Sequence, residues 1–172
     1  RSGEFVTLRD LYEEVGVDAA RYFFLMRKGA SPLDFDVDLA KRQTDENPVF
    51  YVQMAHARLS GIFRTAGRAA DEVEGDLDLA ALPEPQDTEL LKKLVTFPES
   101  VERAAQEREP DRVTVYLHEL ATVVHSWYHH TRAIGAPEGA ATEQARLLLA
   151  RAARITLGNA LALLGISAPD RM

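Results

Sequence analysis

The sequence predicts an all-α fold: a helical bundle with a short N-terminal linking segment. Three observations lead there. Apolar residues recur at three- and four-residue spacing through most of the chain, which lines them along one face of a helix. Start and stop signals (a polar cap, a proline in the first turn, a glycine at the end) bound nearly every such stretch. The last stretch is apolar nearly all round, as suits a helix in the middle of a bundle. With 46% hydrophobic and 27% charged residues among 172, the chain can bury the core of one or two globular domains. No apolar run approaches the ~20 residues a bilayer-spanning helix needs. The absence of cysteine excludes a disulfide scaffold, a thiolate metal site and a cysteine nucleophile.

Taken in order, Thr7 is positioned to cap Leu8–Val15, with Asp10 completing a capping box and Gly16 as the stop. Asp18 starts a second run, Ala19–Arg27, followed by a turn over Lys28–Pro32. Residues 33–38 alternate apolar and acidic with period two, which allows a short extended piece before a helical turn at Leu39–Gln43. Asn47 as cap and Pro48 in the first turn open a long helix to about Ala70, with Val52, Ala55, Leu59, Ile62 and Ala66 as its packing seam. Residues 71–86 are rich in acid and proline and read as a linker or long surface loop.

Helical pattern resumes at Asp87–Phe97, restarts at Pro98 and runs to about Arg108. Pro110 opens another helix to about Arg132, whose seam is Val113, Leu117, Leu120, Val124 and Trp127. A Gly/Pro loop over 135–139 leads to the last helix, about Thr142–Leu164, which leaves only a narrow arginine strip. Gly165 ends it, and Ile166, Pro169 and Met172 give the irregular tail apolar anchors that predict it to fold back beside the long helix.

The formal net charge of −7 argues against a general polyanion binder. The charge is uneven, however. Residues 1–40 sum to −3, 41–68 to +3, 69–111 to −9, 112–139 to zero and 140–172 to +2. Two mildly basic segments bracket an acidic middle, so a specific nucleic-acid contact remains open if the acids face away. The chain opens on Arg1 with no charged and apolar leader behind it, which fits a processed chain or a piece of something longer.

Among candidate chemistries, there is no nucleotide-binding glycine loop, no G-x-S-x-G elbow and no HExxH motif. His125 and His129, at i and i+4, share a helix face, but zinc needs a third ligand and nothing supplies one. Surface-packed histidines beside Trp127 are the plainer reading. On the long helix, Tyr51, Met54 and Arg58 form one stripe beside the seam, and Gln53, His56, Ser60 and Arg64 form another. An aromatic ring next to a guanidinium can stack a base and hold a phosphate. Spacing alone favours the alternative, a bundle-packing tyrosine and a solvated arginine.

The stretch Asn47-Pro48-Val49-Phe50-Tyr51-Val52-Gln53-Met54-Ala55-His56-Ala57-Arg58 closely resembles the N-P-V-Y-Y-V-Q-Y-A-H-A-R string of bacterial arginyl-tRNA synthetases. The resemblance extends to Val15-Gly16-Val17-Asp18-Ala19-Ala20-Arg21-Tyr22-Phe23-Phe24 and to Ser31-Pro32-Leu33-Asp34-Phe35-Asp36. Phe97-Pro98-Glu99, Tyr116-Leu117, Glu119-Leu120-Ala121, Leu164-Gly165-Ile166, Ala168-Pro169 and Arg171-Met172 follow in the family's order, so the match spans essentially the whole chain. It departs from the pattern at Met54, where tyrosine is usual, and at His118.

The resemblance implies the C-terminal part of a class I synthetase that joins L-arginine to tRNA(Arg) at the cost of ATP. The Rossmann catalytic domain, with ATP and magnesium, would lie upstream. This part would hold no catalytic residue, metal or cofactor of its own. Arg1-Ser2-Gly3 resembles the trailing end of a K-M-S-K-R-type ATP loop, which makes Arg1 and Ser2 a nucleotide-binding remnant; a cloning scar is the alternative account of Arg1–Phe5. Residues 1–40 would link the catalytic domain to a helical anticodon-binding domain over 41–172, named after the D-A-L-R motif written here Asp18-Ala19-Ala20-Arg21.

The implied partners are the tRNA(Arg) anticodon loop and the upstream catalytic domain, with no membrane and no DNA, in the cytoplasm. Every arginine anticodon has a middle cytosine, and loop bases are read by splaying them onto aromatic or guanidinium planes. The positions matching the family's pocket are Tyr51, Arg58, Tyr128 and Met172, and the folded-back tail is expected to set Met172 near Tyr51 and Arg58. A free-standing helical protein-interaction module and the anticodon-binding domain of a cysteinyl-type synthetase are the competing readings.

Overall fold

The computed structural model describes residues 7–29, 31–32 and 34–172. Arg1 and Ser2, the expected nucleotide-loop remnant, lie outside the described residues. Eight α-helices and two short 3₁₀ turns make up the described residues, and none of these is in a strand. Helix α1 (Leu8–Val15) has the predicted capping box, with Thr7 N donating to Asp10 at 2.9 Å and Asp10 N to the Thr7 hydroxyl at 3.2 Å. Gly16, at φ +82°, takes the corner into α2 (Val17–Leu25). α2 buries Ala19, Ala20, Tyr22 and Phe23 and packs on α4 and α7, where the Tyr22 hydroxyl donates to Thr114 O at 3.2 Å.

The period-two segment does not become extended pairing. Asp36 accepts from Leu39 N at 2.9 Å and caps α3 (Val37–Lys41), with Asp38 in its first turn. Two of the alternating acids are thus helix-start residues placed where the positive end of the helix dipole favours them. Asn47 then joins α3 to α4 (Pro48–Ala66). Its amide donates to Ala40 O at 3.0 Å and Arg42 O at 2.9 Å, and its oxygen accepts from Val49 N at 3.2 Å. The predicted start is therefore a buried, fully bonded cap, and Gly67 at φ +65° supplies a left-handed stop.

The acidic segment after α4 is pinned rather than loose. It makes 3₁₀ turns at Ala70–Glu72 and Leu79–Ala81 and buries Val73 and Leu82. From the last helix, Gln144 donates to Glu74 O and Arg151 to Val73 O, each at 2.9 Å. The acids Asp71, Glu72, Glu74, Asp76 and Asp78 stay exposed.

Helices α5 (Pro85–Val95), α6 (Phe97–Glu107), α7 (Asp111–His130) and α8 (Ala140–Leu163) complete the bundle. α7 packs against α4, α5, α6 and α8, and every residue of its predicted seam is buried. α8 is less surrounded than its composition predicts. Ile155 and Leu163 are exposed, while Arg146, from the supposed arginine strip, is 1% exposed.

Arg146 is the centre of a buried polar node. Its guanidinium donates to both Asp87 carboxylate oxygens at 3.3 Å, to Glu138 at 3.1 Å and to Arg132 O at 3.1 Å. Trp127 Nε1 donates to the same Asp87 at 2.7 Å. α5, α7, α8 and the loop between the last two meet there. Burial works against the charge of Arg146, but the hydrogen bonds and carboxylates of Asp87 and Glu138 outweigh it and raise its pKa. Removing one partner of a buried pair strands the other, at a cost of about 3–5 kcal/mol. Arg146→Met is therefore expected to lower the melting temperature by roughly 10 °C in a chain of this size. A loss under about 1 kcal/mol in denaturant unfolding would show that the node does not hold the bundle together.

Candidate nucleic-acid interface

Residues one apart on a helix point about 100° from each other, so α4 can serve two neighbours and still show a third face to solvent. On one side, Gln53, His56, Ser60 and Arg64 hold the C-terminal tail. Gln53 Nε2 donates to Ser167 O at 3.0 Å and to Asp18 at 2.9 Å. The His56 ring donates from Nδ1 to Pro169 O at 2.9 Å, because a carbonyl only accepts. The Ser60 hydroxyl and Arg154 bind the Asp170 carboxylate at 2.7 and 2.9 Å, and Arg64 donates to Asp170 O at 2.7 Å.

The Asp18-Ala19-Ala20-Arg21 motif closes this clamp from α2. Asp18 accepts from the Ser167 backbone and hydroxyl, and Arg21 donates to Gly165 O at 2.9 Å. Gly165 sits at φ +66°, and a Cβ there would meet Arg21 Nη1 at 2.0 Å. The left-handed turn favours glycine, and a side chain there would displace the Arg21 guanidinium from its bond to Gly165 O.

The tail therefore folds against α4 as expected, but on the other stripe. Met172 sits in a groove that neither Tyr51 nor Arg58 lines. This open groove, of about 550 Å³, is shared with Arg42, Gln43, Asn47, Phe50 and Gln53. Gln53 and His56 bond the tail's backbone and Ser60 its Asp170 carboxylate, whereas Tyr51 and Arg58 face α7.

On that α7 side, Tyr51 is half-buried between two histidines. Its ring lies 5.2 Å from His118 and 4.5 Å from His125, and its hydroxyl donates to Thr122 at 3.3 Å. His125 bridges back to α4, with Nε2 3.0 Å from Tyr51 O and Nδ1 2.8 Å from Arg58 Nη1. Since the carbonyl only accepts and the guanidinium only donates, the ring is the neutral Nε2–H tautomer. Arg58 in turn lies over Tyr128, its Cζ 5.8 Å from the ring centroid. Tyr128 is 45% exposed.

Tyr51, Arg58 and Tyr128 are thus brought together, and Met172 is not with them. Between the two places lies the solvent-facing stripe Phe50, Met54 and Arg58, spaced i, i+4, i+8 and all only half-buried. The sequence reading missed His118 and His125 as the partners of Tyr51. The signal was present as His118, Thr122 and His125 at i, i+4, i+7, adjacent to the α7 seam; pairing His125 with His129 instead followed the same stripe toward the C-terminal end of the helix, away from Tyr51. His129 meets His130 edge-on, and no group of three or more metal-ligating side chains occurs among the described residues.

A family model described as the DALR anticodon binding domain matches residues 52–172. The chain is 54% identical over its full length to an arginine–tRNA ligase of Citrifermentans bemidjiense and 48% identical to arginine–tRNA ligase 1 of Halalkalibacterium halodurans. It spans 31% of the length of each of these relatives. Among solved structures, a putative arginyl-tRNA synthetase of Campylobacter jejuni superposes with a TM-score of 0.88 at 29% identity, over 100% of this chain and 37% of that one. The arginyl-tRNA synthetase of Thermus thermophilus superposes at 0.75 with 31% identity, over 98% of this chain and 28% of that one.

The two inward histidines make stability depend on pH. Burial is the largest influence on each and lowers its pKa; the bonds to Pro169 O and Tyr51 O oppose it and rank second, the cations Arg154 beside His56 and Arg58 beside His125 reinforce it, and Asp170 and Asp45 oppose it last. The unfolded chain therefore takes up these protons first. The stability is fully present above the unfolded value of about 6.5 and is lost as pH falls from there toward the lowered folded values. Asp170, held below the usual carboxylate range by Arg154 and Ser60, acts only at still lower pH. The melting temperature is expected to fall between pH 7.5 and 5.5, and to fall less in a His56→Gln, His125→Asn double variant. An undiminished fall in that variant would assign the effect to other groups.

Proposed function

The chain belongs to the DALR anticodon binding domain family, and from that premise we propose that it is the tRNA-recognising C-terminal part of an arginine–tRNA ligase. Its task in the whole protein is to bind the anticodon loop of tRNA(Arg), while the catalytic domain upstream, with ATP and magnesium, forms arginyl-tRNA. Residues 1–40 act as the link to that domain and 41–172 as the recognition bundle. No described helix is long and apolar enough to cross a membrane, which agrees with work in the cytoplasm. The matched relatives carry the arginine ligase name, and neither a free-standing interaction module nor a cysteinyl-type domain gains support from them.

The observation that carries this reading is the pairing of Arg58 with the exposed Tyr128 ring, beside Tyr51, at the edge of a solvent-facing stripe on α4. A nucleobase can stack on the open face of Tyr128, and the guanidinium, which among the described residues meets a neutral imidazole and a ring but no carboxylate, keeps its full charge for a phosphate. Met172, 51% exposed in its groove beside Phe50, offers a second apolar surface across the stripe. A splayed loop laid over α4 would meet both. The protein's charge of −7 limits non-specific binding, while the basic stretch 41–68 supplies the local attraction.

Base–aromatic stacking contributes ~1–3 kcal/mol, so Tyr128→Ala in the full-length protein is expected to weaken binding of tRNA(Arg) roughly ten- to hundredfold with the fold intact. Removal of Asp170–Met172 should also weaken it. Both variants should discriminate less against a transcript whose middle anticodon cytosine is replaced. Unchanged affinity and discrimination in both variants, measured by filter binding at one fixed salt concentration, would overturn the assignment of this surface.

A further inference from the structure

We infer that His125 is a positioning residue for tRNA recognition, presetting Arg58 and Tyr51 in the arrangement that meets the nucleotide. This rests on the reading of Arg58 and Tyr128 as nucleotide contacts. The ring is wedged between α7 and α4 and bonds to both of the α4 residues at issue: Nδ1 accepts from Arg58 at 2.8 Å, and Nε2 donates to Tyr51 O at 3.0 Å. It also packs on the Tyr51 ring at 4.5 Å. No other residue touches Arg58 and Tyr51 together in this way among the described residues.

The chemistry of the ring matters. An arginine on an open helix face samples many rotamers, and each one that cannot reach the ligand costs affinity. A carboxylate at position 125 would fix the guanidinium but cancel its charge and repel phosphate. A neutral imidazole fixes it and leaves the charge whole. Nδ1 is free to accept only because the Nε2 proton is committed to the Tyr51 carbonyl, so the two bonds depend on each other. Protonation would turn Nδ1 into a donor facing Arg58 and break the arrangement. The charged and titratable groups around the ring are Arg58 and Tyr51 from α4, Asp45 from the segment before it, and His118, Tyr128 and His129 on α7 itself.

The test is a double-mutant cycle on tRNA(Arg) binding by the full-length protein at fixed salt, with variants whose melting temperature and helical content match the parent. His125→Ala is expected to weaken binding roughly three- to tenfold, the range for freeing one rotamer-rich side chain. Arg58→Ala should cost at least as much, and the double variant no more than Arg58→Ala alone. His125→Asn, which keeps an acceptor oxygen near the Nδ1 position, should restore most of the affinity; His125→Gln should not. His125→Asn and His125→Gln carry the comparison if the alanine variant fails to fold. Losses that multiply in the double variant, or equal affinities of the Asn and Gln variants, would overturn the inference. If neither Arg58→Ala nor Tyr128→Ala weakens binding, the nucleotide reading of the surface falls first, and this inference with it.

Discussion

The ion pair between Asp87 and Arg146, with Trp127 bonded to the same carboxylate, is the constraint on which the display of the surface depends. A buried carboxylate has few acceptable solutions: it needs donors from several directions, and here they come from Trp127 of α7, Arg146 of α8 and the Glu84 backbone N–H at the start of α5. Trp127 must point inward to supply its share. Once it does, the rotation of α7 is fixed, and Tyr128, the next residue, is turned outward. Within one turn and between two and three turns back, the same rotation aims His125 and His118 at Tyr51. The core node and the exposed ring are consecutive residues of one helix, so the polar interior sets the geometry of the polar exterior.

Helix α4 makes the complementary division. Val52, Ala55 and Leu59 are fully buried and set its depth. To one side its polar side chains clasp the tail, and to the other Tyr51 and Arg58 engage α7. Asp18 and Arg21 of α2 hold the beginning of the same tail, which gives that four-residue motif a physical role: it ties an N-terminal helix to the C-terminal end of the chain. Met172 is ordered in its groove by contacts made several residues earlier, at Gly165, Ser167, Pro169 and Asp170.

Much of this was legible in the sequence, and the reasons differ by element. Thr7, Asn47 and Gly16 announce helix ends because capping is local and needs only the residues next to it. The seams of α4 and α7 were readable because burial imposes a period. Arg146 was not, since its burial depends on Asp87, 59 positions away, and an arginine among leucines looks the same from the sequence whether it is solvated or paired. The acids at 34–38 misled for a related reason: helix-start carboxylates happened to alternate with apolar residues and imitated a strand. For the surface, Tyr51 and Arg58 were chosen from a resemblance that the stripe alone would not have supported. The expected meeting with Met172 failed because nothing local says which of two adjacent stripes will receive a tail.

The electrostatic layout follows from the same packing. The backbone of the acidic segment after α4 is fastened to α8 at Val73 and Glu74 by Arg151 and Gln144. Recognition of an RNA loop by this face is the central claim, and side-chain oxidation footprinting tests it most directly. Hydroxyl radicals attack methionine and aromatic rings readily, and the chain carries such reporters in the right places. With the full-length protein and tRNA(Arg), oxidation of Tyr128, Met172 and Met54 should fall on complex formation, while Leu79 and Val95, exposed on the far elements, should react as before. Equal oxidation of Tyr128 and Met172 with and without bound tRNA would contradict the account.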